Sequence, residues 1–268
     1  MAKRAISPTP VPTPHTKAWL SYEQNLDSIA HMLKLSHREV VLMGAQVTRA
    51  NRVVLTIAKE RSDIATKLGQ AKLVRSLNRL SRFLKILKVR REGFQTITLW
   101  QVVMLVTCVE AYLQDVLTAA ASVDPELMSK SEQLAPYADV ISATSLEALA
   151  NDLRARWARG WLSDGGPTRW ISRLGKMGAR GYPDGVGPRL ELIWGIRHVV
   201  VHAAGVATAD FVKRHPGMVA AAGNRVRANS HDLQKFFDAI RGFMDPTEAF
   251  FLARYPSLLA AAPTAPAK

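Results

Sequence analysis

The chain has 268 residues, 48% of them hydrophobic, with 36 Lys and Arg against 22 Asp and Glu for a formal net charge of +14. This content excludes wholesale disorder, the length allows one or two domains with a sizeable core, and a single cysteine excludes a disulfide framework within the chain and favours a reducing compartment. The basic surplus favours an anionic partner, most simply nucleic acid, without choosing between RNA and DNA.

Residues 1–19 begin Met-Ala-Lys-Arg and carry Pro8, Pro10, Pro12 and Pro14. Such a stretch reads as a disordered Pro-rich tail without the hydrophobic core of a signal peptide, so the expected localisation is cytoplasmic. Residues 20–92 are helical in pattern, weakly broken near Gly44 and Gly69, and are expected to form a basic N-terminal helical arm ending at a hinge, Gly93-Phe94. Its densest part holds Lys72, Arg75, Arg79, Arg82, Lys85, Lys88, Arg90 and Arg91, with no acid between the first and last, interleaved with Leu73, Leu77, Leu80, Leu84 and Leu87. That spacing predicts an amphipathic helix whose leucine seam packs on a neighbouring helix or a second subunit while the basic face holds phosphates. The plainer reading is a solvated face, and a third is a helix lying on anionic lipid.

The apolar run Ile97 to Val109 is expected to be a core helix, too short and too soon followed by Glu110 to cross a bilayer, with Cys108 as an inert packing residue. After a loop at Asp124-Pro125, Thr144-x-x-Glu147 reads as a capping box opening a helix. A short helix over Thr168 to Met177 lies among the glycines and prolines between Trp161 and Pro188. A helix from Pro188 to Ala204 stops before Gly205, Gly223-Asn224 signals a turn, and a last helix from Ser230 to about Arg254 places Leu233, Phe236, Phe237, Ile240, Phe243 and Met244 on one face. Residues 256–268 form an Ala/Pro-rich tail. With no strand-like alternation of any length, the fold class is all-α.

The helix from Pro188 carries the main anomaly, Ile196-Arg197-His198-Val199-Val200-Val201-His202. Leu190, Ile193, Trp194, Val200, Val201 and Ala204 have core-facing spacing, and Arg197 falls inside that stripe; Glu191, His198 and His202 form a polar stripe beside it. A buried guanidinium cannot lose its charge and must find a carboxylate, a phosphate or several carbonyls. Glu110 is one internal candidate, and a ligand phosphate is the other.

Arg197 with polar His198, three valines and His202, then Ala-Ala-Gly and Asp210-Phe211, with Val109-Glu110-Ala111-Tyr112-Leu113-Gln114-Asp115-Val116-Leu117 upstream, resembles the HEPN superfamily and its Arg-x4–6-His signature. The resemblance covers roughly Phe94 to Tyr255, is closest in type to RiboL-PSP-HEPN domains, and places a HEPN-like domain over residues 93–255. It implies an all-α bundle that forms a homodimer with two motifs in one cleft, and a metal-independent endoribonuclease of toxin–antitoxin, defence or RNA-processing systems. The alternative within the superfamily is an inactive module that binds RNA or docks a partner. The implied roles are His202 as acid/base, Arg197 as phosphate clamp, His198 orienting the phosphate or the other histidine, and Glu110 orienting Arg197; an antitoxin or other protein is an implied partner. The chemistry suits these residue types, because RNA cleavage without a metal needs a base for the 2′-OH, an acid for the 5′-oxygen and a cation for the phosphorane.

The bland reading pairs Arg197 with Glu110 structurally and leaves His202 as a helix C-terminal cation. Zinc on His198 and His202 is disfavoured, since no glutamate stands between them as in a metalloprotease motif, so no metal or other cofactor is expected. No phosphate loop, dinucleotide fingerprint, nucleophile elbow or Cys-x-x-Cys is found. Aromatic residues are 7% and sit in core-like patterns, so contacts are expected to be mainly to the RNA backbone.

Overall fold

The computed structural model describes residues 15–29, 31, 67–129 and 136–259; the expected break at Gly44 and the extreme ends of the chain lie outside them. The described residues are helical with no strand, an all-α architecture: a first helix α1 over 17–29, then α2 (Lys67–Val123), α3 (Tyr137–Ser142), α4 (Leu146–Ser163), α5 (Pro167–Met177), α6 (Val186–His202), α7 (Ala209–Arg214) and α8 (Ser230–Arg254). They form two compact units, one drawn from Met1–Gln24, Cys108–Gly187 and Ile240–Lys268, the other from Asn25–Thr107 and Pro188–Ala239. The expected arm at 20–92 and domain at 93–255 are contiguous stretches, whereas each of these units draws on segments far apart in sequence.

The hinge at Gly93-Phe94 is corrected: α2 runs unbroken through Gly69 and Gly93. A lone helical glycine costs only about 1 kcal/mol relative to Ala, too little to interrupt a helix with strong formers on both sides. The expected core run at 97–109 belongs to a longer apolar stretch: Gln95–Val123 is by length and composition long enough to cross a membrane, with 61% of its apolar window buried inside the protein.

In the first unit, Val109, Tyr112, Leu113, Val116, Leu117 and Ala120 recur at helical spacing on the buried face of α2, with Trp170 and Leu174 of α5 and Phe243, Met244 and Phe251 of α8 also buried. Burial pushes the Cys108 thiol pKa up, in keeping with an inert packing residue. Part of each expected tail is packed: Thr16 pairs with Leu259 in an isolated bridge, Trp19 is buried, and Pro256–Leu258 form a 3-10 turn, at the end of the first tail and the start of the second. The cap of α4 is Ser145, whose hydroxyl accepts from the Ala148 amide at 3.0 Å, one residue after the expected Thr144.

In the second unit, Val102, Val103, Leu105 and Val106 of α2, Leu190, Ile193, Ile196 and Val199 of α6, Phe211 of α7 and Leu233 and Phe236 of α8 are buried. α6 starts at Val186, which puts Pro188 in its first turn, where its missing amide has no intrahelical partner to lose. After α6 the chain turns through Ala204 (φ 48°) and Gly205 (φ 79°), and the Gly205 amide reaches back to the Val199 carbonyl at 3.0 Å. Val226 and Ala207 amides then donate to the Gly205 and Asn224 carbonyls, both at 2.9 Å, tying 205–207 to 224–226.

Candidate functional site on α6

The buried stripe of α6 is Leu190, Ile193, Ile196 and Val199, whereas Val201 is 42% exposed and Ala204 is open. The expected stripe, which contained Trp194, Val200, Val201 and Ala204, is therefore rotated, because Ile196 and Val199 complete the i, i+3 pattern. Arg197 lands on its shoulder, half-buried, with its Nε shut from solvent and without a hydrogen-bond partner among the described residues. An unpaired buried donor on a fixed cation is costly, so this nitrogen marks where an acceptor would be favoured.

His198 and His202 share the outer face and are both exposed, with ring centroids 4.7 Å apart at 47°. Helical register of about 100° per residue puts Arg197 about 140° around from His202. Within the chain the two histidines are therefore neighbours, and the arginine faces the side of Val201. Glu191 stands half-buried on the same stripe as the histidines and has interactions of its own. Glu110 is half-buried on α2 in the first unit, also with interactions. Among the described residues no group of three His, Cys, Asp or Glu is placed to hold a metal ion. Lys72, Arg75, Arg79, Arg82, Lys85, Lys88, Arg90 and Arg91 follow one another along α2; the positions of their side chains, and of the leucine seam, lie outside the described set.

Sequence reasoning missed a third imidazole. His215, just after α7, lies over Gly195, where an added Cβ would stand 2.7 Å from its Nε2 and 3.3 Å from Phe211 Cε2. Gly195 falls between Glu191 and His198 on the same face, so only a residue without a side chain admits the ring. Burial lowers the His215 pKa from its ordinary value, the Arg214 guanidinium lowers it further, and Glu191 opposes both. A histidine kept neutral by folding contributes stability that is present above about pH 6.5 and is lost as pH falls through its folded value. Gly195→Ala is expected to push the ring into solvent and return its titration toward about 6.5. An NMR pH titration checks this, and an unchanged pKa would show that the contact does not set it.

Also missed was a groove of about 1020 Å³ within the second unit, lined by Gln95, Leu99 and Trp100 of α2, His202, Gly205, and the extended residues Arg225 to Arg227 among others. Trp100 is 52% exposed, which corrects the expectation that aromatic residues serve only the core. The signal was present in Arg225-Val226-Arg227, whose alternation places both arginines on one side of buried Val226, but three residues are too few to read as extended chain. No family model, no curated protein and no solved structure matches this chain.

Proposed function

We propose that the protein is a metal-independent endoribonuclease of the HEPN type, acting as a cytoplasmic homodimer in a defence or toxin–antitoxin setting. The observation that carries the reading is the pair of exposed imidazoles, His198 and His202, 4.7 Å apart on a helix that also presents an arginine whose buried Nε has no partner among the described residues. In the reaction His202 takes the proton of the ribose 2′-OH as the oxygen attacks phosphorus, and the bond to the 5′-oxygen breaks as that oxygen receives a proton. The products are a 2′,3′-cyclic phosphate and a 5′-OH. Two protomers supply two copies of His202, one as base and one as acid, while Arg197 neutralises the phosphorane and His198 orients the phosphate. Register alone separates Arg197 from His202 on one helix, which is why the reading calls for a second copy of α6 in the cleft. The basic run from Lys72 to Arg91 gathers phosphates along α2, adding affinity that weakens with salt.

The test is incubation of the purified protein with single-stranded RNA in EDTA, beside His202→Ala and Arg197→Ala. Cleavage by the wild type alone supports the enzyme. Binding without cleavage by any form supports the alternative of an RNA-docking module, and the groove, where the Arg225 and Arg227 guanidiniums have no partner among the described residues, is the feature that favours that second reading.

A further inference from the structure

We infer that the groove at the end of α6 holds a single-stranded nucleotide segment, with the Trp100 indole stacking a base and the Arg225 and Arg227 guanidiniums gripping flanking phosphates. The inference rests on the ribonuclease reading only in naming the strand as RNA. Three observations converge on it.

The first is charge. Neither arginine makes a hydrogen bond or ion pair among the described residues, both are exposed, and no acid is among the described residues that line the groove. The Arg-Val-Arg segment is also held in place: Val226 N donates to Gly205 O at 2.9 Å, and Ala228 N donates to the Gln95 side-chain oxygen at 3.3 Å, so the two guanidiniums start from a backbone already fixed against α2. The second is the aromatic. An indole left half in solvent beside two cations matches the combination by which single strands are held, bases on rings and phosphates on guanidiniums. The third is size. A volume of about 1020 Å³ stands at the top of the range of about 300–1,000 Å³ for single small ligands. That suits a short run of chain better than a lone metabolite. His202 also lines the groove, so a strand seated here would pass the imidazole proposed to act on it. Because every base offers a π-face, the groove would tolerate sequence and select for a flexible single strand.

The experiment measures binding of a fluorescent 2′-O-methyl oligouridine, which lacks the nucleophile and cannot be cut, to the full chain over a range of salt. Trp100→Ala is expected to weaken binding about tenfold, with Trp100→Phe within about threefold of wild type, as a stacking platform requires. Arg225→Gln with Arg227→Gln should weaken binding and reduce the slope of log K against log salt by about 1.4, or about 0.7 per single-strand phosphate contact. Wild-type affinity and slope in these variants, or no binding by the wild type, overturns the inference. Unchanged affinity with a shift of oligomeric state in Trp100→Ala overturns it in favour of a protein interface. The two readings fail separately. Variant-sensitive binding with no cleavage of unmodified RNA leaves the groove standing without the ribonuclease, whereas cleavage with unaltered KM in the Trp100 and arginine variants leaves the ribonuclease without the groove.

Discussion

Replacing His202 by Ala is expected to lower RNA cleavage in EDTA by about 10²–10⁴-fold, the range that a positioned proton-transfer group supplies. At 1.36 kcal/mol per tenfold this is about 3–5 kcal/mol of transition-state stabilisation. Loss of fold cannot mimic it. The side chain is exposed at the last position of α6, and an exposed substitution of this kind changes stability by about 0.5 kcal/mol or less. Unfolding monitored beside activity should therefore show an inactive protein of normal stability. Arg197 supplies the contrast, because it is half-buried and its Nε is sealed in. Arg197→Lys keeps a cation yet loses the planar fork, so it should restore folding better than it restores rate. Full activity in His202→Ala would remove the imidazole from the chemistry and leave the helix-end reading, in which His202 only favours the C-terminal dipole.

How much of this was legible beforehand follows from the range of the interactions involved. α8 appears at Ser230–Arg254 where the periodicity placed it, and α5 begins one residue before its expected start, because both are amphipathic segments bounded by strong local signals. The polar stripe of α6 was readable for the same reason, since Glu191, His198 and His202 follow from a fixed helical period. The orientation of the apolar stripe was not readable. Valine at 199, 200 and 201 offers three equivalent choices, and only packing selects Val199 for the core and leaves Val201 out. Gly93 reads as a hinge on local propensity alone, and tertiary burial on the C-terminal side of α2 outweighs it. The groove was invisible for a further reason. Trp100 and Arg225 are 125 positions apart, and no local pattern announces that Gln95 and Ala228 will be joined by a hydrogen bond.

The second large effect concerns the first unit and a carboxylate that no motif pointed to. Glu248 of α8 is 3% exposed and accepts from the Thr16 amide at 2.6 Å, the Thr16 hydroxyl at 3.0 Å and the Tyr112 hydroxyl at 2.8 Å. Thr16 also caps α1, its hydroxyl accepting from the Trp19 amide at 3.1 Å, and Trp19 meets the ring of Tyr112 edge-on at 6.0 Å. Burial, and then the Glu248 charge, hold the Tyr112 phenol pKa well above its ordinary value, so it remains a donor to the carboxylate. Glu248→Ala would orphan these donors at about 1–3 kcal/mol each, less the relief of no longer desolvating a carboxylate, for a net loss of about 3 kcal/mol. For a chain of this size that is a fall in Tm of about 6–12 °C. Glu248→Gln keeps an acceptor for the Thr16 amide and turns its amide nitrogen toward two hydroxyls that can accept, so it should cost about 1 kcal/mol. Thr16→Val alone removes the cap and one hydroxyl bond, a loss of about 1–2 kcal/mol. In the Glu248→Ala background its effect should shrink, because the bond it would break is already gone, and a double-mutant cycle reads that coupling directly. If the two losses instead add in full, Thr16 is held by its helix alone and the buried carboxylate does not anchor the chain entering α1.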